Sequence, residues 1–236
     1  MYRVDEMSTA ARTRNARDVH SRYRRLVPEP LDRRERSELC DLFLELGPDV
    51  PTLCEGWASM DLATHLVVRE RSLRGAPGIV LGDKIKALGR QTEAAQARAA
   101  REGFEAVVDR VRSGPPLPLR PLSGLINLNE YAIHHEDLRR ANGMTARADR
   151  PDLQDALWKQ LGRMIRFLPG RPKKIGLVLA RPDGTTIVSG KEPAARIAGQ
   201  PMEISLYLAG RGTHADVSIT GDREAIDALA AADLGL

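Results

Sequence analysis

The sequence predicts an α+β protein, with a helical bundle over residues 31–147, a small α+β domain over 148–236 and a flexible basic leader at 1–30. Three observations lead there. Aromatic residues make up only 4% of the chain, so the core must be built from Leu, Ile, Val and Ala, which suits helices better than an all-β sandwich. From about residue 31 to about residue 147 the apolar residues recur at three- and four-residue steps, the period of an amphipathic helix. Beyond Arg150-Pro151 they shift to short β-branched runs around Pro182-Asp183-Gly184. A length of 236 residues accommodates two domains of common size.

The leader has no sustained apolar period and ends in Pro28-Glu29-Pro30. In the first helix Asp32 and Glu35 have capping-box spacing, Leu39, Leu42, Phe43 and Leu46 share a face, and Gly47-Pro48 stops the run. A loop through Cys54-Glu55-Gly56-Trp57 leads to Ser59, a good N-cap residue, for a second helix carrying Leu62, His65, Leu66 and Arg69. After a Gly/Pro-rich break at residues 75–82, a third helix is expected over 83–112, interrupted at Gly103. Pro115, Pro116, Pro118 and Pro121 form a linker, and the fourth helix runs from Ser123 to Asn142 with Gly143 at the C′ position. The second domain should hold a helix with Leu153, Leu157, Leu161, Ile165 and Leu168, then a hairpin of Ile175–Arg181 and Thr185–Ser189. A strand near Arg196–Ala198, a helix from Pro201 to Ala209, a strand over Ala215–Thr220 and a helix from Asp222 to Ala232 complete it.

The pI near 9.3 invites a nucleic-acid reading until the charge is located. Residues 1–30 hold seven arginines against four carboxylates, so three of the four net positive charges lie there and the body is nearly neutral. No basic stripe with interleaved aromatics is present, so a nucleic-acid partner is not expected. Cys40 and Cys54 fit neither a redox pair nor a two-knuckle zinc site. No apolar run is long enough to span a bilayer, and the expected setting is a reducing cytoplasm without membrane contact.

The inward stripe of the fourth helix is the most informative feature. Ile126, Glu130, Ile133, His134, Asp137, Leu138 and Ala141 follow at three- and four-residue steps, so potential ligands interrupt an apolar face. Glu130 and His134 are four apart and can reach one cation, and His65, facing inward from another helix, is the natural third ligand. The competing reading is a hydrogen-bonded Glu130–His134 pair with His65 as a core histidine. Asp137 could orient a ligand histidine or pair with Arg140. His135, about 100° round the helix, is placed on the flank. Trp57 reads as packing at the bundle end and Cys54 as a small, half-buried side chain.

The run Cys54-Glu55-Gly56-Trp57-Ala58-Ser59-Met60-Asp61-Leu62-Ala63-Thr64-His65-Leu66 resembles the first metal motif of the mycothiol-dependent maleylpyruvate isomerase family. That family is an actinobacterial branch of the DinB-like metal-binding four-helix bundles. Glu130-Tyr131-Ala132-Ile133-His134 resembles its second motif, followed by Asp137-Leu138-Arg139-Arg140-Ala141, and Gly199 to Gly210-Arg211 with Gly221-Asp222 is similar to its sterol-carrier-like C-terminal module. The resemblance implies that His65, Glu130 and His134 bind a divalent cation, zinc above all, and that mycothiol is a cosubstrate. It also implies that Arg211 faces the active-site cleft, where a guanidinium can hold an acidic substrate; a Gly-Arg at a helix end can equally cap carbonyls. The expected function is a thiol-dependent isomerase or S-transferase acting on a small electrophilic substrate. The alternative is a non-catalytic metal-binding sensor or partner-binding module.

Overall fold

The structure, a computed structural model, describes residues 29–71, 98, 101–115, 123–167, 174–192, 194–232 and 234. The expected leader, the break at 75–82, most of the linker prolines, Leu168 and the first part of the third helix fall outside these residues. Four helices come first: α1 Leu31–Leu46, α2 Ser59–Arg71, α3 Phe104–Ser113 and α4 Ser123–Ala141. Leu39, Leu42 and Phe43 of α1, Leu62 and Leu66 of α2, Val107, Val108 and Val111 of α3, and Tyr131 and Leu138 of α4 make one buried core. Gly103 interrupts the third helix as expected, with φ 86°, a backbone conformation that only glycine adopts readily. Gly143, φ 74°, ends α4, and the Met144 N–H reaches back to the Arg139 carbonyl at 3.0 Å.

Two expected caps do not form. Glu35 does not close a capping box; it is fully buried and faces α4. At the start of α2 it is Asp61, rather than the Ser59 hydroxyl, that accepts a backbone N–H, from Ala58 at 2.9 Å.

The second half is α5 Pro151–Met164, a 3₁₀ turn Ile165–Phe167, β1 Gly176–Ala180, β2 Thr186–Ser189, β3 Ala194–Ala198, α6 Pro201–Leu208, a 3₁₀ turn Gly212–His214, β4 Ser218–Gly221 and α7 Arg223–Ala230. Pro151 and Pro201 open their helices at positions where a missing N–H costs nothing. The sheet order is β2-β1-β3-β4, with β1 parallel to β3 and both outer pairs antiparallel. The last strand starts three residues later than expected, because Gly212–His214 forms a turn first. Asp222 precedes α7, but its carboxylate accepts the Ala194 N–H rather than a helical one.

One side of the sheet packs on Leu161, Ile165, Ile204, Leu208, Ala225 and Leu229. A third core crosses residue 148: Leu128, Ala132 and Ile133 of α4 pack on Leu153 and Leu157 of α5 and on Met202 and Leu206 of α6. The helix α4 is therefore covered on two sides. No helix among the described residues is long and apolar enough to cross a membrane.

Candidate metal centre

α2 and α4 bring His65, Glu130 and His134 together, with one ligand atom from each lying within 4.8 Å of the others. The His65 and His134 rings meet edge to face with centroids 5.4 Å apart, and His134 Nε2 lies 3.6 Å from Glu130 Oε2. Trp57, at the end of the 51–58 loop, packs its ring 5.1 Å from that of His65, so it is a wall of the site as well as a packing residue.

Behind His134 the support is charged. Its Nδ1 lies 2.8 Å from Asp137 Oδ2, one turn on and fully buried. This leaves Nε2 turned to Glu130 and His65, the arrangement by which carboxylates orient ligand histidines. Arg211 grips Asp137 with two bonds, Nε to Oδ1 at 3.0 Å and Nη2 to Oδ2 at 2.8 Å, while its Nη1 donates to the Ala209 carbonyl at 2.5 Å. Arg211 thus bonds a helix-end carbonyl and Asp137, so the carboxylate it holds belongs to the protein. Arg140 pairs with Glu136 and Glu203 instead of Asp137. Cys54 places its sulfur 3.2 Å from Arg211 Nη2 and 3.4 Å from Asp137 Oδ2. The loop that carries it is pinned to α4 by the Leu53 N–H on the Asp137 carbonyl, at 3.2 Å.

The electrostatics suit a cation. Burial, with His134 beside it, lowers His65 to about 4, so its imidazole is neutral at pH 7. Burial would raise Glu130, but Arg69 and His134 outweigh it and hold the carboxyl at about 2. Asp137 is likewise held at about 2 against burial, by His134 and Arg211. Burial opposes the charged form of His134, yet Asp137, Cys54 and Glu130 raise its pKa well above the ordinary value. Two imidazoles and a carboxylate converging in this way fit a divalent cation, which would replace the proton on His134 Nε2.

A second cluster of the same residue types lies next door. Glu35, Glu38 and His135 also converge, but Arg147 Nη1 stands among them, 2.8 Å from Glu35 Oε2 and 2.9 Å from His135 Nδ1. A guanidinium fills the place a metal would take. His135 is therefore not on an exposed flank; it is 4% exposed, packed against α1. Burial pushes the Cys40 thiol up to about 12, so it stays protonated and unreactive at neutral pH.

Arg69 was expected only as a member of the second helix and Cys54 only as a small, half-buried side chain, and the structure puts both beside the site. Arg69 had a signal, since it sits one turn after His65 on the same helix face.

No family model and no curated protein matches the chain. Among solved structures, two of the mycothiol-dependent maleylpyruvate isomerase are similar. A histidine-to-alanine mutant of that enzyme gives a TM-score of 0.55 and a second structure gives 0.53, each at 18% identity over 81% of this chain and 91% of the other. The likeness is one of fold, and it supports a distant structural relationship.

Proposed function

We propose that this protein is a metal-dependent enzyme that uses a low-molecular-weight thiol, acting as an isomerase or S-transferase on a small electrophile. The observation that carries the reading is the convergence of His65, Glu130 and His134 within 4.8 Å. The thiol part rests on the fold shared with an enzyme that is mycothiol-dependent, so mycothiol is the cosubstrate proposed. His65 and His134 would offer imidazole nitrogens and Glu130 a carboxylate oxygen, a set that suits zinc and also admits iron, nickel or manganese. Bound there, the cation would lower the pKa of a thiol and favour the thiolate, its nucleophilic form.

The chain's own residues account for the rest. His65 presents a lone pair because burial keeps it neutral. Asp137 fixes the His134 tautomer, and Arg211 keeps Asp137 ionised and aimed, which makes Arg211 a positioning residue in this reading. Entry is from the Glu130 side, where the side chain is 19% exposed while that of Asp137 is 0% exposed. Addition of the thiolate to one carbon of an activated double bond breaks the π bond; rotation about the resulting single bond and expulsion of the thiolate gives the isomer, whereas protonation of the neighbouring carbon retains the adduct and gives S-transfer.

Elemental analysis of the full chain purified without chelator should find one divalent metal per chain. His65→Ala, Glu130→Ala and His134→Ala should each lower that stoichiometry and abolish thiol-dependent turnover. A triple variant that keeps one tightly bound metal would overturn the site. A metal-loaded chain that binds no thiol would leave a metal-binding protein without this chemistry.

A further inference from the structure

Arg69 is the charged neighbour of the site that the proposed function leaves unused. Its guanidinium is held at two points of α4 one turn apart: Nη1 donates to Asn127 Oδ1 at 2.8 Å, and Nε lies 3.2 Å from Glu130 Oε2. That oxygen is also the one 3.6 Å from His134 Nε2, so the guanidinium is drawn to the oxygen that faces the ligand imidazole. Asn127 is buried, and the Arg69 and Glu130 side chains are 22% and 19% exposed. The pair is shielded enough from water for its attraction to count. In the neighbouring cluster the same solution is complete, with Arg147 standing among the carboxylates and the histidine.

We propose that Arg69 is a built-in competitor of the divalent cation for Glu130. It neutralises the carboxylate while the metal is absent, and it draws back towards Asn127 when the metal binds. The inference rests on the reading of His65, Glu130 and His134 as a metal site. Linkage gives it a definite sign: an interaction made only in the metal-free state stabilises that state and weakens metal binding by the same factor. Arg69 would then let the chain fold before it is loaded, at the expense of affinity.

The test uses the full chain with two substitutions, Arg69→Met, which keeps most of the apolar stem and removes the charge, and Arg69→Lys, which keeps the charge. Zinc affinity is read by competition with a chromophoric chelator, and thermal melting is followed with and without zinc. Arg69→Met should bind zinc about tenfold more tightly, the equilibrium equivalent of one charged hydrogen bond. Its metal-free form should melt below the wild type while the zinc-loaded forms melt together, and Arg69→Lys should stay near wild type in both. If Arg69→Met binds zinc no more tightly than the wild type, Arg69 is not a competitor and this inference falls while the metal site stands. If His134→Ala leaves wild-type zinc affinity unchanged, the metal site itself fails and takes the inference with it.

Discussion

His134 and His135 are adjacent residues of one helix, yet they face two clusters that resolve the same problem in opposite ways. Each combines imidazole with buried carboxylate. Around His135 the compensating charge is an arginine of the chain: Arg147 bonds Glu35 and also donates from Nε to Glu136 at 2.7 Å. Around His134 the guanidiniums stand outside, Arg211 behind Asp137 and Arg69 beside Glu130, and the donors face each other across a gap. The cluster that its own arginine fills needs no further cation, whereas the one with arginines beside it is the site proposed above for a metal.

The largest effect should come from removing the internal cation. Arg147→Met leaves Glu35 and Glu136, both 0% exposed, without a major partner, and breaking a buried pair in this way costs about 3–5 kcal/mol. Urea unfolding of the metal-free chain measures it, and a loss below about 1 kcal/mol would mean that the cluster is not held by Arg147.

A smaller effect separates the clusters by metal affinity. Asp137→Asn keeps the shape behind His134 but weakens its orienting bond, and loss of such a partner lowers metal affinity about 10–100-fold. Glu35→Gln, the matching change beside His135, should leave zinc affinity within about twofold while lowering stability. Equal losses of zinc affinity would erase the distinction drawn between the two clusters.

The smallest effect is in the pH dependence of the metal-free protein. His65 falls from 6.5 to about 4 on folding, so the unfolded chain takes up a proton in that range that the folded chain refuses. Its contribution is complete above pH 6.5 and is lost as pH falls towards 4. His135, also lowered by burial, acts in the same direction. Glu130 and Glu35, at about 2 against an ordinary 4.5, are lost lower down. His134, raised on folding, acts in the other direction: its contribution is present below pH 6.5 and fades as pH rises through its folded value. His65→Gln should flatten the decline in Tm between pH 6.5 and 4 without abolishing it. An unchanged slope by calorimetry would remove His65 from the account.

What was legible in the sequence was what a single helix can encode. Glu130 and His134 share a face because they are four apart, and the apolar stripe pointed that face inward. His65 was placed by the same argument on α2. The flank position of His135 failed because it assumed that α4 has one buried side; Tyr131 and Leu138 face one core and Leu128, Ala132 and Ile133 another, so the helix has no flank there. Glu35 and Asp222 show a related limit, since capping residue types are also good tertiary acceptors and local spacing does not say which partner wins. The Arg211–Asp137 pair spans 74 residues, and nothing in the periodicity of either segment announces it.

That separation also orders events during synthesis. At roughly 5–20 residues per second, the 74 residues from Asp137 to Arg211 take on the order of 4–15 s to make. Throughout that interval all three proposed ligands already exist, while Asp137 lacks the Arg211 guanidinium and Ile133 lacks the cover of Met202 and Leu206. The nascent chain thus carries the donors long before it carries their support, and a rigid centre waits for the last quarter of the polypeptide.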